Sequence, residues 1–166
     1  MARWLITGCS TGIGREIACA ALEAGNAVVV TARRVESVTD LADEYGDRAV
    51  TVALDVTDKE QIAAAVRTAT DAFGGIDVLV NNAGNGYLAA IEEGEDDQVR
   101  KLFDVNYFGV VDMIKAVLPG MLKRGYGRLL HVASISGKEG NAGMLAYSTS
   151  KAGLIGLVKV LGKDYA

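Results

Sequence analysis

The chain has 166 residues, of which half are hydrophobic and 23% are charged, so its composition excludes intrinsic disorder and predicts a single domain over residues 1–166. A net charge of −4 offers no basis for binding nucleic acid, and no apolar run reaches the ~18 residues of a membrane span. Cys9 and Cys19 are too few for a disulfide framework, and the first residues lack the regions of a secretory signal. These features predict a cytoplasmic protein that binds neither nucleic acid nor a membrane.

Short apolar runs alternate with amphipathic stretches along the chain. The runs typical of buried strands span residues 3–7, 27–31, 49–53, 76–80 and 128–133. Helical spacing is found at 13–24, in the stripe Val35, Val38, Leu41 and Ala42, at 57–73, at 96–124 and from 143 onward. Thr57 and Glu60 have the spacing of a capping box for the third of these helices. The alternation predicts parallel βαβ units in a doubly wound α/β sheet.

A glycine-rich turn joins the first strand to the first helix. Its sequence, Thr7-Gly8-Cys9-Ser10-Thr11-Gly12-Ile13-Gly14, has the spacing G-x-x-x-G-x-G. Glycines permit a tight turn and a close approach of backbone N–H groups to phosphate, and a helix N-terminus carries a partial positive charge. A plain turn would explain one glycine but not three. The sequence therefore predicts a pyrophosphate-binding turn that uses Gly8, Ser10, Thr11, Gly12, Ile13 and Gly14.

Two adjacent arginines follow the second strand, where an acidic residue would favour NAD by binding a ribose hydroxyl. Arg33 and Arg34 stand there instead, after Thr31 and Ala32. A planar guanidinium pairs well with phosphate oxygens, so the pair predicts NADP(H), with NAD(H) as the weaker alternative. The arginines could also be solvated charges, but arginine is mildly unfavourable at a helix N-terminus.

Polar residues also end the third and fourth strands. Asp55, followed by Val56, could accept a hydrogen bond from an adenine amino group, or it could be a turn residue before Thr57. Asn81-Asn82-Ala83-Gly84 closes the fourth strand, near the crevice where doubly wound sheets bind ligands. Asparagine is common in turns, so this segment is not specific on its own.

Tyr147 and Lys151 lie four residues apart in the last predicted helix and so share one face. A cationic neighbour stabilises a phenolate, which brings a tyrosine closer to proton transfer near neutral pH. Ser134 follows the fifth strand, thirteen residues before the tyrosine, and its hydroxyl could bind the same substrate oxygen. Each residue alone has an ordinary structural explanation. Together they predict a proton-transfer site beside a nicotinamide that supplies the hydride.

These motifs resemble those of the short-chain dehydrogenase/reductase family, and they occur in the family's order over nearly all of the chain. The matching segments are Thr7-Gly8-x-x-x-Gly12-x-Gly14, Asn81-Asn82-Ala83-Gly84, Val105-Asn106, Ser134 and Tyr147-x-x-x-Lys151. The resemblance implies a Rossmann fold with strand order 3-2-1-4-5. It also implies an oxidoreductase that transfers hydride between NADP(H) and a carbonyl or secondary alcohol.

The resemblance further implies a role for each site residue. Tyr147 would be the acid/base, Ser134 would stabilise the substrate oxygen, and Lys151 would bind the nicotinamide ribose and stabilise the phenolate. Asn106 would hold the water of a proton relay to Lys151. Cofactor contacts would come from Asp55, Val56, Asn82, Ala83 and Gly84. The family pattern also implies a homodimer or homotetramer built from the long helix and the final helix, and no metal.

Some positions depart from the family pattern. His131, the only histidine, stands where many relatives have asparagine, and we interpret it as a core residue. Cys9 is expected to pack rather than react. The family continues beyond the helix of Tyr147 with further strands and a substrate loop, whereas this sequence ends at Ala166. The fifth strand is therefore expected to be an apolar edge, and a non-catalytic NADP-binding or assembly module is the alternative to an enzyme.

Apolar residues near the predicted site indicate the kind of substrate. They are Tyr87, Leu88, Met144 and Leu145. They suggest a hydrophobic ketone or alcohol as the small-molecule partner.

Overall fold

The computed structural model describes residues 1–165, and its strands alternate with helices. The strands are β1 (Arg3–Ile6), β2 (Ala27–Ala32), β3 (Ala49–Ala53), β4 (Val78–Asn81) and β5 (Arg128–His131). The helices are α1 (Gly12–Glu23), α2 (Thr39–Tyr45), α3 (Lys59–Phe73), α4 (Asp96–Phe103), α5 (Gly109–Arg124), α6 (Ser136–Glu139) and α7 (Leu145–Asp164). Short 3₁₀ turns at Val35–Ser37 and Gly46–Arg48 flank α2.

The five strands form one sheet in the order β3-β2-β1-β4-β5, which confirms the predicted topology. The register between β1 and its two neighbours is parallel, with Leu5 opposite Val29 on one side and Leu79 on the other. Parallel strands need a crossover between them, and the helices supply it. The chain is therefore a doubly wound α/β protein.

Both faces of the central strands are buried, as their continuous apolar sequences predict. Successive strand residues point to opposite faces, so Ile6 and Val30 join one cluster with Ala18 and Leu22 of α1. The alternate residues on the same strands, Leu5, Val29 and Leu79, are just as fully buried on the opposite face.

Helix α3 begins one residue later than the predicted capping box. Asp58, not Thr57, is the cap, and its Oδ1 accepts hydrogen bonds from the N–H groups of Glu60 (2.9 Å) and Gln61 (3.1 Å). Thr57 is unavailable because its own N–H and hydroxyl both donate to Asp55. The expectation of a Thr57–Glu60 capping box was therefore wrong, although the helix does end at Phe73, before the left-handed Gly74.

Other boundaries differ from the sequence prediction by a few residues. The stripe from Val35 to Ala42 divides between a 3₁₀ turn and α2, and the last helix begins at Leu145 rather than near residue 143. The short helix α6 was not predicted. The long helix predicted at 96–124 is continuous, but a π-helical turn at Asp104–Phe108 separates α4 from α5.

By length and mean hydropathy (1.3), the helical stretch 96–124 could cross a membrane. This is weak evidence, because the core helix of a water-soluble protein passes the same test, and 39% of the apolar window is buried within the protein. Asp112 also interrupts the stretch, and its Oδ2 lies 3.7 Å from Nζ of Lys59. The absence of a membrane partner stays a prediction.

The described residues group into two compact units. The first unit comprises Met1–Ala83 and Val111–Leu130, and the second comprises Gly84–Val110 and residues 131–165. The prediction of a single domain is not tested by this grouping.

Candidate active site

The glycine-rich turn of the first unit is built where backbone segments approach closely. Gly8 has φ +73°, and a Cβ there would lie 2.9 Å from Cα of Ala83. A Cβ at Gly14 would collide with the side chain of Asn82 and the carbonyl oxygen of Gly8. At both positions a residue other than glycine would force the backbone apart, as the sequence pattern predicts.

The same turn leaves the start of α1 open. Gly12 has φ +61°, and no atom lies within 4 Å of the place a Cβ would occupy. Thr11 is the N-terminal cap in extended conformation, and its side chain makes no capping hydrogen bond. The residues from Ser10 to Ile13 are all exposed, so the N–H groups of the first helical turn stand at the surface.

Asn82 braces the turn from the end of β4. Its Nδ2 donates to the carbonyl oxygens of Thr7 and Gly8, both at 3.0 Å. Oγ1 of the buried Thr7 accepts from the N–H groups of Asn82 and Ala83, each at 3.0 Å. The side chains of Thr7 and Asn82 thus shape the turn from beneath.

Arg33 and Arg34 are exposed at the end of β2, and within residues 1–165 neither forms an ion pair. The backbone that carries them is nevertheless fixed. The carbonyl oxygen of Arg34 accepts hydrogen bonds from the N–H (3.2 Å) and the hydroxyl (2.6 Å) of Ser37. Arg15 of α1 also donates to the Ser37 carbonyl oxygen and pairs with Asp40. Two positive charges without a described acidic partner therefore stand on an anchored turn.

Asp55 takes part in the turn that leads into α3. Its Oδ1 accepts from the N–H (2.9 Å) and the hydroxyl (2.7 Å) of Thr57, and its N–H donates to Gln61 (2.8 Å). Asp55 therefore does act as a turn residue before Thr57, which was one of the two roles that the sequence allowed. Val56 is buried. An adenine contact at these two residues stays a prediction.

In the second unit, α7 carries Tyr147 and a buried Lys151. The lysine is 6% exposed, and its Nζ donates to the carbonyl oxygen of Val132 at 2.7 Å. Nζ also lies 5.7 Å from the centre of the Tyr147 ring. Burial lowers the pKa of Lys151, because an ammonium loses its hydration there. The predicted pairing of tyrosine and lysine on one helical face is therefore present.

The structure distinguishes the two serines that follow β5. Ser136 is buried, and its hydroxyl accepts a hydrogen bond from Asn141 (2.8 Å). Ser134 is only half-buried, and its hydroxyl oxygen accepts from the N–H of Ser136 (3.2 Å). The hydroxyl hydrogen of Ser134 is not committed to any described acceptor. Ser134 is thus the more accessible of the two serines, and its role in binding a substrate oxygen stays a prediction.

Gly137 sets the contact between α6 and α7. A Cβ at this position would lie 2.7 Å from the carbonyl carbon of Lys151 and 2.8 Å from the nitrogen of Ala152. The helix that follows Ser134 therefore packs directly on the backbone of Lys151.

Asn106 lies in the π-helical turn and is 1% exposed. Its Oδ1 accepts from the N–H of Asn85 (3.0 Å), and its Nδ2 donates to the Asn85 carbonyl oxygen (2.9 Å) and to Ser150 (3.3 Å). The side-chain amide is thus fully engaged in holding the segment after β4 to α7. The water relay that the family resemblance implies at Asn106 stays a prediction.

The apolar residues expected near the substrate lie partly together. Ala89 forms an isolated bridge with Met144, so the segment with Tyr87 and Leu88 runs beside the start of α7. Leu88 and Leu145 are exposed, whereas the hydroxyl of Tyr87 accepts a hydrogen bond from the N–H of Glu95 (3.0 Å).

The remaining singled-out residues behave as packed groups. Cys9 is fully buried, its thiol donates to the Ile6 carbonyl oxygen, and burial raises its pKa to about 12, which makes it unreactive. His131 is half-buried at the end of β5, and burial lowers its pKa. No group of residues suited to hold a metal ion is found among residues 1–165.

Two residues that support the site, Asn85 and Ser150, were not predicted from the sequence. Both hold Asn106 through hydrogen bonds. A signal existed for Ser150, because it follows Tyr147 by three residues and is therefore its neighbour on the helix surface. Asn85 extends the Asn-Asn-Ala-Gly segment by one residue, but its contribution comes from the backbone, which sequence does not reveal.

The fold and the two groups of residues define a doubly wound protein with a glycine-rich turn before its first helix and a half-buried Tyr147 beside a buried Lys151. Residues 3–166 match the family model described as short chain dehydrogenase. The chain belongs to the short-chain dehydrogenase family.

The chain is similar to several members of this family. It is 41% identical over 164 residues to oxidoreductase BOA17 of Botryotinia fuckeliana, covering 98% of this chain and 60% of that protein. It is 39% identical over 162 residues to the 3-oxoacyl-[acyl-carrier-protein] reductase FabG of Vibrio harveyi, covering 98% of this chain and 66% of that one. A short-chain dehydrogenase structure from Streptomyces avermitilis matches with TM-score 0.95 and 42% identity, over 99% of this chain and 61% of that one. The chain thus spans less than two thirds of the length of these relatives.

Proposed function

We propose that this chain carries the cofactor-binding and catalytic residues of an oxidoreductase that transfers hydride between NADP(H) and a carbonyl or secondary alcohol. The observation that carries the proposal is the pairing of Tyr147 with a buried Lys151 on one helical face. An ammonium is costly to bury, and proteins retain one where its charge has a use. Here that use is to stabilise the phenolate of Tyr147.

The residues of the first unit fit a dinucleotide. The turn has no side chains at Gly8, Gly12 and Gly14, and the start of α1 presents N–H groups suited to a pyrophosphate. Arg33 and Arg34 are exposed and suited to a ribose 2′-phosphate, which supports NADP(H) over NAD(H). Ser10, Thr11 and Ile13 would line the phosphates. Asp55, Val56, Asn82 and Ala83 would complete the contacts of this unit, and Gly84 of the second unit would add one more.

The second unit would supply the proton. Bound NADP(H) donates or accepts the hydride. Tyr147 would give its hydroxyl proton to a carbonyl oxygen, or take one from an alcohol, and Ser134 would donate a hydrogen bond to the same oxygen. Lys151 would favour the phenolate and bind the nicotinamide ribose. Asn106 would hold the helix geometry around them.

A hydrophobic small-molecule ketone or alcohol is the substrate class that the exposed Leu88 and Leu145 support. Exposed apolar residues on α7, Val158 and Val160, support assembly into a homodimer or homotetramer through the long and final helices. Both cysteines are free, which accords with a cytoplasmic location. The non-catalytic alternative has no comparable support, since the similar proteins bear the names of oxidoreductases.

The catalytic part of the proposal is tested with Tyr147→Phe in the protein that contains this chain. Loss of the acid/base should lower kcat by about 1000-fold, while the Kd for NADPH stays unchanged. NADPH oxidation is followed with a panel of hydrophobic ketones, and Tyr126→Phe, at an exposed tyrosine, serves as the control. Retained turnover in Tyr147→Phe would refute the assignment. NADPH binding without turnover of any ketone or alcohol by the wild type would favour the non-catalytic module.

The cofactor preference is tested with Arg33→Ala and Arg34→Ala. Each should raise the Kd for NADPH about 10-fold, because a charge-assisted contact to the 2′-phosphate is lost, and leave the Kd for NADH unchanged. Fluorescence titration measures both constants. Arg67→Ala removes one exposed positive charge from α3 of the same unit and controls for general electrostatics. Equal effects on NADPH and NADH would contradict the proposed role.

A further inference from the structure

A buried hydroxyl connects the helix of Tyr147 with the π-helical turn of Asn106. Ser150 is 0% exposed and stands one residue before Lys151. Its hydroxyl donates to the carbonyl oxygen of Tyr147 at 2.8 Å and accepts from Nδ2 of Asn106 at 3.3 Å. One oxygen thus contacts both the turn that carries Tyr147 and the side chain of Asn106.

The amide of Asn106 has a single well-defined set of partners. Asn85 offers it a backbone N–H and a backbone carbonyl, and these two groups determine which way the amide faces. The remaining N–H of Nδ2 points to Ser150. Since Asn106 is buried, this N–H has no water to bond if the serine hydroxyl is removed.

Asn106 lies in a π-helical turn, a backbone conformation that depends on supporting contacts. A π-helical turn is rare and is retained only where other contacts support it. The turn at Asp104–Phe108 packs against α7, where the ring of Tyr107 lies beside Gly153 and the side chain of Asn106 is hydrogen-bonded to Ser150.

We propose that Ser150 is a positioning residue, which holds Asn106 and the first turns of α7 in the arrangement that proton transfer by Tyr147 requires. It contacts neither substrate nor cofactor in this role. The proposal rests on the proposed function for its effect on turnover, but the effect on Asn106 is independent of it.

The test compares Ser150→Ala with Ser148→Ala. Ser148 lies on the same helix, and its hydroxyl is buried without a hydrogen-bond partner among the described residues, so its removal controls for the loss of a buried oxygen. In Ser150→Ala, kcat should fall about 10-fold with the Kd for NADPH unchanged, because small displacements of catalytic groups are costly. Ser150→Thr keeps a hydroxyl that can bond the same carbonyl and should recover most of the activity.

A second measurement needs no turnover. The side-chain amide signals of Asn106 in a ¹⁵N-edited NMR spectrum should shift in Ser150→Ala and stay in place in Ser148→Ala. Unmoved Asn106 signals in Ser150→Ala, or an equal fall of kcat in the two alanine variants, would overturn the proposal. If the wild type shows no turnover, the proposed function fails, and the NMR comparison still decides whether Ser150 positions Asn106.

Discussion

The two compact units of the chain bury different kinds of side chain. Within residues 1–165, 31 apolar residues are buried, and the second unit contributes four of them: Leu102, Val110, Ala146 and Leu154. Each unit also buries four polar side chains, Thr7, Thr31, Asp77 and Asn81 in the first and Asn106, Ser136, Ser150 and Lys151 in the second, so polar groups form a much larger share of what the second unit buries. The first unit is held mainly by the apolar faces of its sheet, and the second depends much more on satisfied polar contacts.

The two units also differ in the partners of their buried charged side chains. In the first unit, Arg3 and Asp77 form a two-pronged ion pair, with Nε to Oδ2 at 2.8 Å and Nη2 to Oδ1 at 2.5 Å. In the second unit, Lys151 is buried with a backbone carbonyl as its hydrogen-bond partner. Pairing offsets much of the free energy that burying a charge costs, whereas a buried ammonium without a described carboxylate lacks this compensation. The second unit thus gives up stability at the residues to which we assign catalysis.

The largest effect expected from this difference is on stability. Leu79→Ala, in β4, should cost about 3–4 kcal/mol of unfolding free energy, since a rigid apolar core leaves a cavity behind. Leu154→Ala, in α7, should cost about 2 kcal/mol, because a more polar surrounding relaxes into the space. The two leucines are equally well buried, with exposed fractions of 0% for Leu79 and 1% for Leu154. Denaturant midpoints at constant m-value measure the two costs.

Amide hydrogen exchange shows which part of the protein each of the two leucine substitutions destabilises. Leu154→Ala should speed exchange mainly in residues 84–110 and 131–165, whereas Leu79→Ala should speed it throughout the sheet. A larger cost for Leu154→Ala, or equal exchange patterns in the two variants, would show that the units do not differ in the way described.

A smaller effect is expected from pH. Burial lowers the pKa of His131, so below its ordinary value of 6.5 the unfolded chain binds more protons than the folded protein. Stability should therefore be complete above pH 6.5 and should fall as the pH drops from 6.5 toward the folded pKa. Asparagine cannot titrate, so His131→Asn should remove this loss of stability. The loss itself should be less than about 1 kcal/mol, since the ring is only half-buried.

Denaturant titrations at a series of pH values measure this slope. The hydrogen bond from Arg3 holds the pKa of Asp77 below its ordinary value of 3.8, so its contribution is lost only at lower pH. Asp77 titrates in both proteins, so the slopes of wild type and His131→Asn should differ only between pH 6.5 and the folded pKa of His131 and should agree below it. Identical slopes between pH 6.5 and that point would contradict a burial penalty at His131.

The sheet could be predicted from the sequence because its signals are local and repeated. Continuous β-branched runs such as 27–31 have few other structures open to them, and the glycines at 8, 12 and 14 have backbone requirements that other residues do not meet. The observed strand order agrees with what the family motifs implied.

The local details could not be predicted, because they depend on competition between nearby groups. Asp58 displaced Thr57 as the cap of α3, since Asp55 had already engaged the threonine. The π-helical turn and Ser150 depend on contacts between residues 44 positions apart, which no local pattern reports. For the candidate site, sequence supplied the residues, and the structure supplied the partners of Lys151, Ser134 and Asn106.

The contact at Gly137 constrains how this region of the protein can vary over evolution. Any side chain at that position would press on the backbone at Lys151, so residue 137 cannot change unless α7 shifts and takes the ammonium with it. A position that has no side chain thereby fixes the location of one of the longest side chains in the protein. Substitutions in the segment after Ser134 should therefore be tolerated only at residues that do not press on α7.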